Sequence, residues 1–158
     1  MTTHEKLIAL LDRHQARYRL MAHEATGKCE AVAAIRGTEI GQGAKALVCH
    51  VKGNGVKQHV LAVLPADRQA DLGKVAAAAG GRRASLASPA ETTQLTGCVF
   101  GAIPPFSFHP DLRVIADPAL FERYPEIAFN AGLLECSVIL NTDDYRALCA
   151  AEVVQITQ

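Results

Sequence analysis

The sequence predicts one α+β domain over residues 1–158, a mixed and largely antiparallel sheet with helices packed around it. Three observations lead there. The chain has 158 residues, 49% of them hydrophobic, which is one domain's length and enough apolar material for a core without disulfide or metal staples. Strand and helix signals interleave, but without the strict alternation of a doubly wound parallel sheet. A hairpin signal sits in the first half and several closely spaced strand signals crowd the second, which favours antiparallel pairing.

The elements follow in order. Leu7, Ile8, Leu10 and Leu11 share one face of a helix from about His4 to Arg17. Tyr18 to His23 reads as a strand, and Ala25 to Lys28 as a loop. Glu30 to Arg36 is helical, with Gly37 as its left-handed stop. Ala44–Lys52 and Val56–Leu64 are strands joined by Gly53-Asn54-Gly55, the strongest turn signal in the chain, and Pro65 ends the second. A helix is expected from Asp67 to Ala79, stopped by Gly80-Gly81, then a strand over Arg82–Leu86. Ser88-Pro89-Ala90-Glu91 has the form of a capping box with proline in the first turn, opening a helix that stops near Gly97. Cys98–Ile103 and Leu112–Ala116 read as strands. Asp117-Pro118 opens a short helix to about Tyr124, and Glu126–Ala131 and Ser137–Leu140 read as strands. Thr142 is expected to cap a last helix through Leu148, followed by a strand over Val153–Ile156.

Composition excludes several function classes. Sixteen basic and sixteen acidic residues give a net charge of +0, which argues against a broadly basic nucleic-acid coat or a polybasic membrane tail but leaves room for a local basic rim. Five widely spaced cysteines without a CxxC do not form a secreted disulfide framework. The first residues lack a signal-peptide pattern, and no apolar run approaches the ~18 residues of a membrane span. The expectation is a reduced, soluble, cytoplasmic protein.

No motif of the familiar catalytic classes is present. The six histidines form no HxxxH pair and join no cysteine at zinc-ligand spacing, so neither metal nor cofactor is expected. There is no GxSxG, no P-loop and no GxGxxG. Cys49 and His50 are neighbours on a strand and point to opposite faces, so adjacency makes no dyad of them; Cys49 reads as a small buried hydrophobe. Two segments remain. Lys45, at the mouth of an apolar strand after Gly41 and Gly43, is either a solvated edge charge or a cation projecting into a cleft. Gly101-Ala102-Ile103-Pro104-Pro105 is either a strand end turned by prolines, with Phe106 or Phe108 as core, or a rigid loop that aims N–H groups at an ester oxygen.

Together, Ala44-Lys45-Ala46-Leu47-Val48, Gly101-Ala102-Ile103-Pro104-Pro105 and Phe129-Asn130-Ala131-Gly132 resemble the YbaK and prolyl-tRNA-synthetase editing-domain family. Gly27-Lys28-Cys29-Glu30-Ala31 and the stretch from Gly97 to Pro110 place the resemblance nearest the YeaK-like stand-alone branch. It implies a sheet curved into a partly open barrel with surrounding helices, and hydrolysis of mischarged aminoacyl-tRNA in trans. It assigns catalytic roles to Lys45 and to the loop residues Gly101, Ala102 and Ile103, and substrate contacts to Pro105, Phe106, Asn130, Gly132 and Lys28. Ile103, Phe106, Phe108 and Asn130 become expected pocket walls. The chain departs from the family where Asn130 stands in a region that often carries serine or histidine, and where Pro104 removes one more backbone donor.

On that resemblance Lys45 orients the ester, the Gly101–Ile103 N–H groups face the developing oxyanion, and the substrate's own 2′-hydroxyl helps activate water. The resemblance also favours alanine, serine or threonine as the amino acid, and an aminoacyl-tRNA acceptor end as partner, with a synthetase or elongation factor as further candidates and a monomer as the default. Lys28, Arg36, Lys52 and Lys57, with Arg82 and Arg83, are candidates for a basic rim around Lys45. Two other classes stay open: a non-catalytic module binding an amino acid or nucleotide in the same pocket, and a hydrolase of small aminoacyl esters or amides.

Overall fold

A computed structural model describes residues 1–26 and 28–158. Gly27, within the expected loop and the Gly27-Lys28 motif, lies outside the described residues. In chain order the elements are α1 (Thr3–Arg13), β1 (Tyr18–Ala22), α2 (Cys29–Arg36), a 3-10 turn (Ile40–Gln42), β2 (Ala44–Gly53), β3 (Val56–Pro65), α3 (Leu72–Ala78) and β4 (Arg83–Leu86). Then come α4 (Pro89–Thr96), β5 (Leu112–Ala116), α5 (Ala119–Glu122), β6 (Glu126–Leu133), β7 (Cys136–Asn141), α6 (Thr142–Leu148) and β8 (Glu152–Val153).

The strands form two sheets. One has three antiparallel strands in the order β1-β7-β6; the other has five, β4-β2-β3-β5-β8, antiparallel at the β4-β2-β3 end and parallel from β3 through β5 to β8. A single parallel bridge between Gly43 and Ala128 ties the start of β2 to β6. The α+β class and the mixed sheet are as expected, and the two joined sheets leave the barrel unclosed.

The middle of the five-stranded sheet is covered on both faces, which explains why Val60 to Pro65 forms an unbroken buried run instead of alternating. Val48, Leu61, Val63 and Val114 turn toward the second sheet and meet Leu7 and Leu11 of α1, Phe129, Val138 and Tyr145. Cys49, Val60, Ala62 and Ile115 turn the other way, under Val75 and Ala76 of α3. Cys49 is fully buried, and that burial pushes its thiol up to about 11, which makes it a hydrophobe in practice.

Local chemistry explains the element ends. In α4, Ser88 Oγ accepts from the Glu91 N–H while Glu91 returns a bond to the Ser88 N–H, and Gly97 closes the helix at φ 70°. Gly37 does the same for α2 at φ 71°. Five expectations need correction. The first helix stops at Arg13, short of Arg17, because the chain turns after it and Gln15 holds a positive φ of 52°. The helix expected from Asp67 begins at Leu72, because Asp71 is its cap, accepting from the Lys74 N–H, while Asp67 is held by Arg123. α6 is capped by Asn141, not Thr142, whose hydroxyl donates to the Tyr124 carbonyl. The last strand is only Glu152–Val153; beyond it, the carboxylate of buried Asp117 accepts from the Ile156 N–H and the Thr157 hydroxyl. Finally, Cys98–Ile103 is no strand. The Ala102 N–H folds back onto the Val99 carbonyl, and Val99 and Phe100 are exposed.

Candidate active site

Where the two sheets part, between the first half of β2, helix α2, β6 and the loop after α4, lies a cavity of about 130 Å³. Its construction starts with small residues. A side chain at Gly43 would lie 3.0 Å from Ala66 Cβ and 3.1 Å from the Ile40 carbonyl, so glycine lets the chain enter β2 without pushing these neighbours back. Ala33, Ala44, Ala46, Ala66 and Ala128 supply much of the wall.

The edge of β2 matters as much as its side chains. β4 pairs with β2 only over Cys49–Lys52, and the Ala87 N–H reaches the Val48 carbonyl. Even-numbered residues of β2 therefore aim their peptide groups away from β3, since these directions alternate along a strand. Ala46 falls between the last of those bonds and the Gly43–Ala128 bridge. Its N–H and carbonyl face the cavity, with no strand alongside among the described residues.

Lys45 lines the cavity and is half-buried; its ammonium donates to the Arg68 carbonyl at 2.9 Å. Gly101 and Ile103 line the opposite wall. Gly101 holds φ 89°, a conformation that L side chains rarely adopt. No described residue accepts from the N–H of Gly101 or Ile103.

Behind this wall runs a buried polar network. Asn130 Nδ2 donates to the carbonyls of Gly101 at 2.8 Å and Thr26 at 3.0 Å. Its Oδ1 accepts from Arg36 Nη2 at 3.0 Å and from the Ser137 hydroxyl at 3.2 Å. Ser137 also accepts from Arg36 Nε at 2.8 Å and lies 2.7 Å from His23 Nε2. Every hydrogen-bonding position of the Asn130 amide is thus used inside the protein. The network pins the Gly101 loop to β6 and fixes a guanidinium at the cavity wall.

The structure separates the sequence candidates into groups. Lys45, Gly101, Ile103 and Asn130 converge on the cavity. Ala102 does not offer its N–H, which is taken by Val99, and its side chain is core. The Pro105 carbonyl accepts from the Tyr145 hydroxyl, and Phe106 packs edge-on against Phe129 and Tyr145, so both support the loop from behind. Phe108 lies by the N-terminal residues and Gly97, away from the cavity. Gly132 abuts the backbone of His4, and Lys28 is an exposed residue before α2.

Two contributors were not picked out as pocket residues. Phe100 stands 67% exposed at the cavity mouth, and its only signal was an aromatic beside Gly101 in a run read as strand. Arg36, assigned to a solvated rim, is 8% exposed and part of the wall. Tertiary packing also gathers ligand atoms of His50, His59 and Glu91 within 4.8 Å, a grouping hidden in the chain spacing. The two rings stack nearly flat at 4.6 Å, so their in-plane lone pairs run side by side instead of converging as metal coordination requires.

The family described as "Aminoacyl-tRNA editing domain" matches residues 23–148, a span that contains this entire cavity wall. The chain belongs to that family. Across 152 residues the editing domain is 67% identical to the "Multifunctional Ser/Thr-tRNA deacylase ProXp-y" of Escherichia coli strain K12, covering 96% of this chain and 91% of that protein; the match in Escherichia coli O157:H7 has the same values. Among solved structures, the hypothetical protein APE2540 superposes with a TM-score of 0.85 at 20% identity, covering 97% of this chain and 99% of that one. A candidate trans-editing enzyme for prolyl tRNA synthetase superposes at 0.81 and 24% identity, covering 100% and 98%. These two establish the shared fold. Among the described residues no helix is long and apolar enough to cross a membrane.

Proposed function

We propose that this editing domain acts in trans, in the cytoplasm, as a hydrolase that deacylates tRNA mischarged with serine, threonine or alanine. The observation that carries the reading is a small, alanine-walled cavity with a lysine ammonium on one side and the unpartnered N–H groups of Gly101 and Ile103 on the other. The name of the relative at 67% identity supports the same reaction and the small hydroxylated amino acids.

In this reading each group has one role. The aminoacyl group enters between β2 and the Gly101 loop. In this reading the Ala46 carbonyl accepts from the substrate's α-ammonium, and the Gly101 and Ile103 N–H groups face the ester oxygen as charge develops there. Lys45 exchanges its bond to Arg68 for the terminal nucleotide and orients the ester. Water adds to the carbonyl carbon, the bond to the ribose 3′-oxygen breaks, and free amino acid and a tRNA hydroxyl leave. The ester is already activated, so positioning suffices, and the ribose 2′-hydroxyl hydrogen-bonds the attacking water and helps activate it, so no protein general base is needed. Phe100 offers an exposed ring against which the terminal adenine stacks. Pro105, Phe106 and Gly132 hold the loop and β6 in place without touching substrate, and Asn130 positions the loop instead of reading a substrate hydroxyl.

Deacylation of tRNAs charged with alanine, serine, threonine and proline tests this directly, wild type beside Lys45→Ala. Loss of one or two esters with wild type only is expected. If all four esters survive both proteins, the hydrolase assignment fails, and ligand-induced thermal stabilisation without turnover would favour a binding module.

A further inference from the structure

A second site lies at the far end of β2. Lys57, Lys52 and Arg83 stand directly opposite one another on β3, β2 and β4, so three cations form one row across the sheet on a single face. All three are exposed, and none enters an ion pair among the described residues. Like charges facing each other across strands destabilise a sheet. The adjoining row is His59, His50 and Ser85. Among the described residues His50 Nε2 has no hydrogen-bond partner and is closed off from solvent, and beside it a cleft is lined by His50, Lys52, Arg83, Ala84 and Ser85. The acid at this corner, Glu91, is committed to His59 at 2.8 Å and to the cap of α4. Three exposed cations and the Ser85 hydroxyl suit a phosphate, and the flanking lysines repel a metal ion.

We propose that this face binds the phosphate backbone of the tRNA acceptor duplex while the cavity at the other end of β2 takes the aminoacylated terminus. The proposal rests on the deacylase reading above. Lys45 and Lys52 are seven residues apart on one strand, about 23 Å at the ~3.3 Å rise of a strand residue. That exceeds the reach of the terminal nucleotide and suits the duplex to which the single-stranded end is joined. Side chains alternate along a strand, so Lys45 and Lys52 leave opposite faces of β2, and the RNA rounds the open edge of the strand at Ala46 between the cavity and the cationic row. The row also reconciles a net charge of +0 with an RNA partner, because the positive field is local.

The test is a variant carrying Lys52→Gln, Lys57→Gln and Arg83→Gln in the full chain, beside a control carrying Lys6→Gln and Arg13→Gln on α1. Fluorescence anisotropy reads binding of an uncharged full-length tRNA and of a short single strand ending in CCA, across a salt series. The triple variant should bind tRNA at least tenfold more weakly, with a salt slope shallower by about 2–3, and bind the short strand as wild type does. Its KM for aminoacyl-tRNA should rise with kcat unchanged, and its melting temperature should hold or rise as like charges are removed. Wild-type affinity and slope in the triple variant, an equal loss in the α1 control, or no measurable tRNA binding by wild type would each overturn the proposal. Binding lost in the triple variant while wild type cleaves no ester would uphold this face and sink the deacylase reading instead.

Discussion

The two ends of β2 are built on opposite principles. At Ala44–Leu47 the strand is paired on one edge only, its side chains are small apart from Lys45 and Leu47, and the wall across from it is irregular. At His50–Lys52 it is paired on both edges, in regular register, with large polar side chains stacked row upon row. The first end leaves backbone donors and acceptors unused, so a ligand can complete the sheet's hydrogen bonding. The second has its backbone satisfied and concentrates charge instead. A reaction site demands groups at fixed points, which a rigid backbone supplies; a grip on a phosphate chain demands only a positive field, which side chains supply without fine placement.

Breaking the first end should have the larger effects. Lys45→Ala is expected to lower kcat for deacylation by roughly 10²–10³-fold with little change in melting temperature. Asn130→Asp keeps size and both acceptor positions but loses the amide donors to Gly101 and Thr26, so the loop shifts; a fall of up to about 10²-fold in kcat/KM is expected, in a protein that still melts cooperatively. Ala46→Val sharpens the contrast, because it narrows the cavity while keeping the edge peptide. Turnover of the threonyl ester should fall about tenfold relative to the alanyl ester, measured on the same tRNA body.

The smallest effect belongs to the corner between the two ends. The bond from His59, with the Ser88 backbone and hydroxyl, lowers the Glu91 carboxyl from 4.5 to about 2. A depressed folded-state value means that its contribution is fully present above about pH 4.5 and fades as pH falls through about 2. Glu91→Gln should therefore melt a few degrees lower near neutrality, with the gap to wild type closing in acid. A constant gap across that range would remove the carboxylate from the account.

Much of this architecture was legible because its signals are local. The Ser88–Glu91 box, the glycine stops at Gly37 and Gly97 and the Gly53-Asn54-Gly55 turn all act over a few residues, and all are where the sequence placed them. The failures are tertiary. Cys98–Ile103 has a strand's composition, but the chain turns back at Val99–Ala102 and Gly101 needs a positive φ. At the site, Lys45 and Gly101 could be picked out by residue type in context. The burial of Arg36 could not, because it depends on Asn130 and Ser137, which lie about a hundred residues away. The same holds for the His50–His59–Glu91 corner, assembled from three elements.

The alanines around the cavity have a consequence for how this fold can diversify. Ala46 and Ala66 are half-buried and line the cavity, so a single enlarging substitution at either one narrows it. On the proposed function, a short mutational path at these two positions retunes which amino acid is admitted while the network behind Gly101 stays as it is.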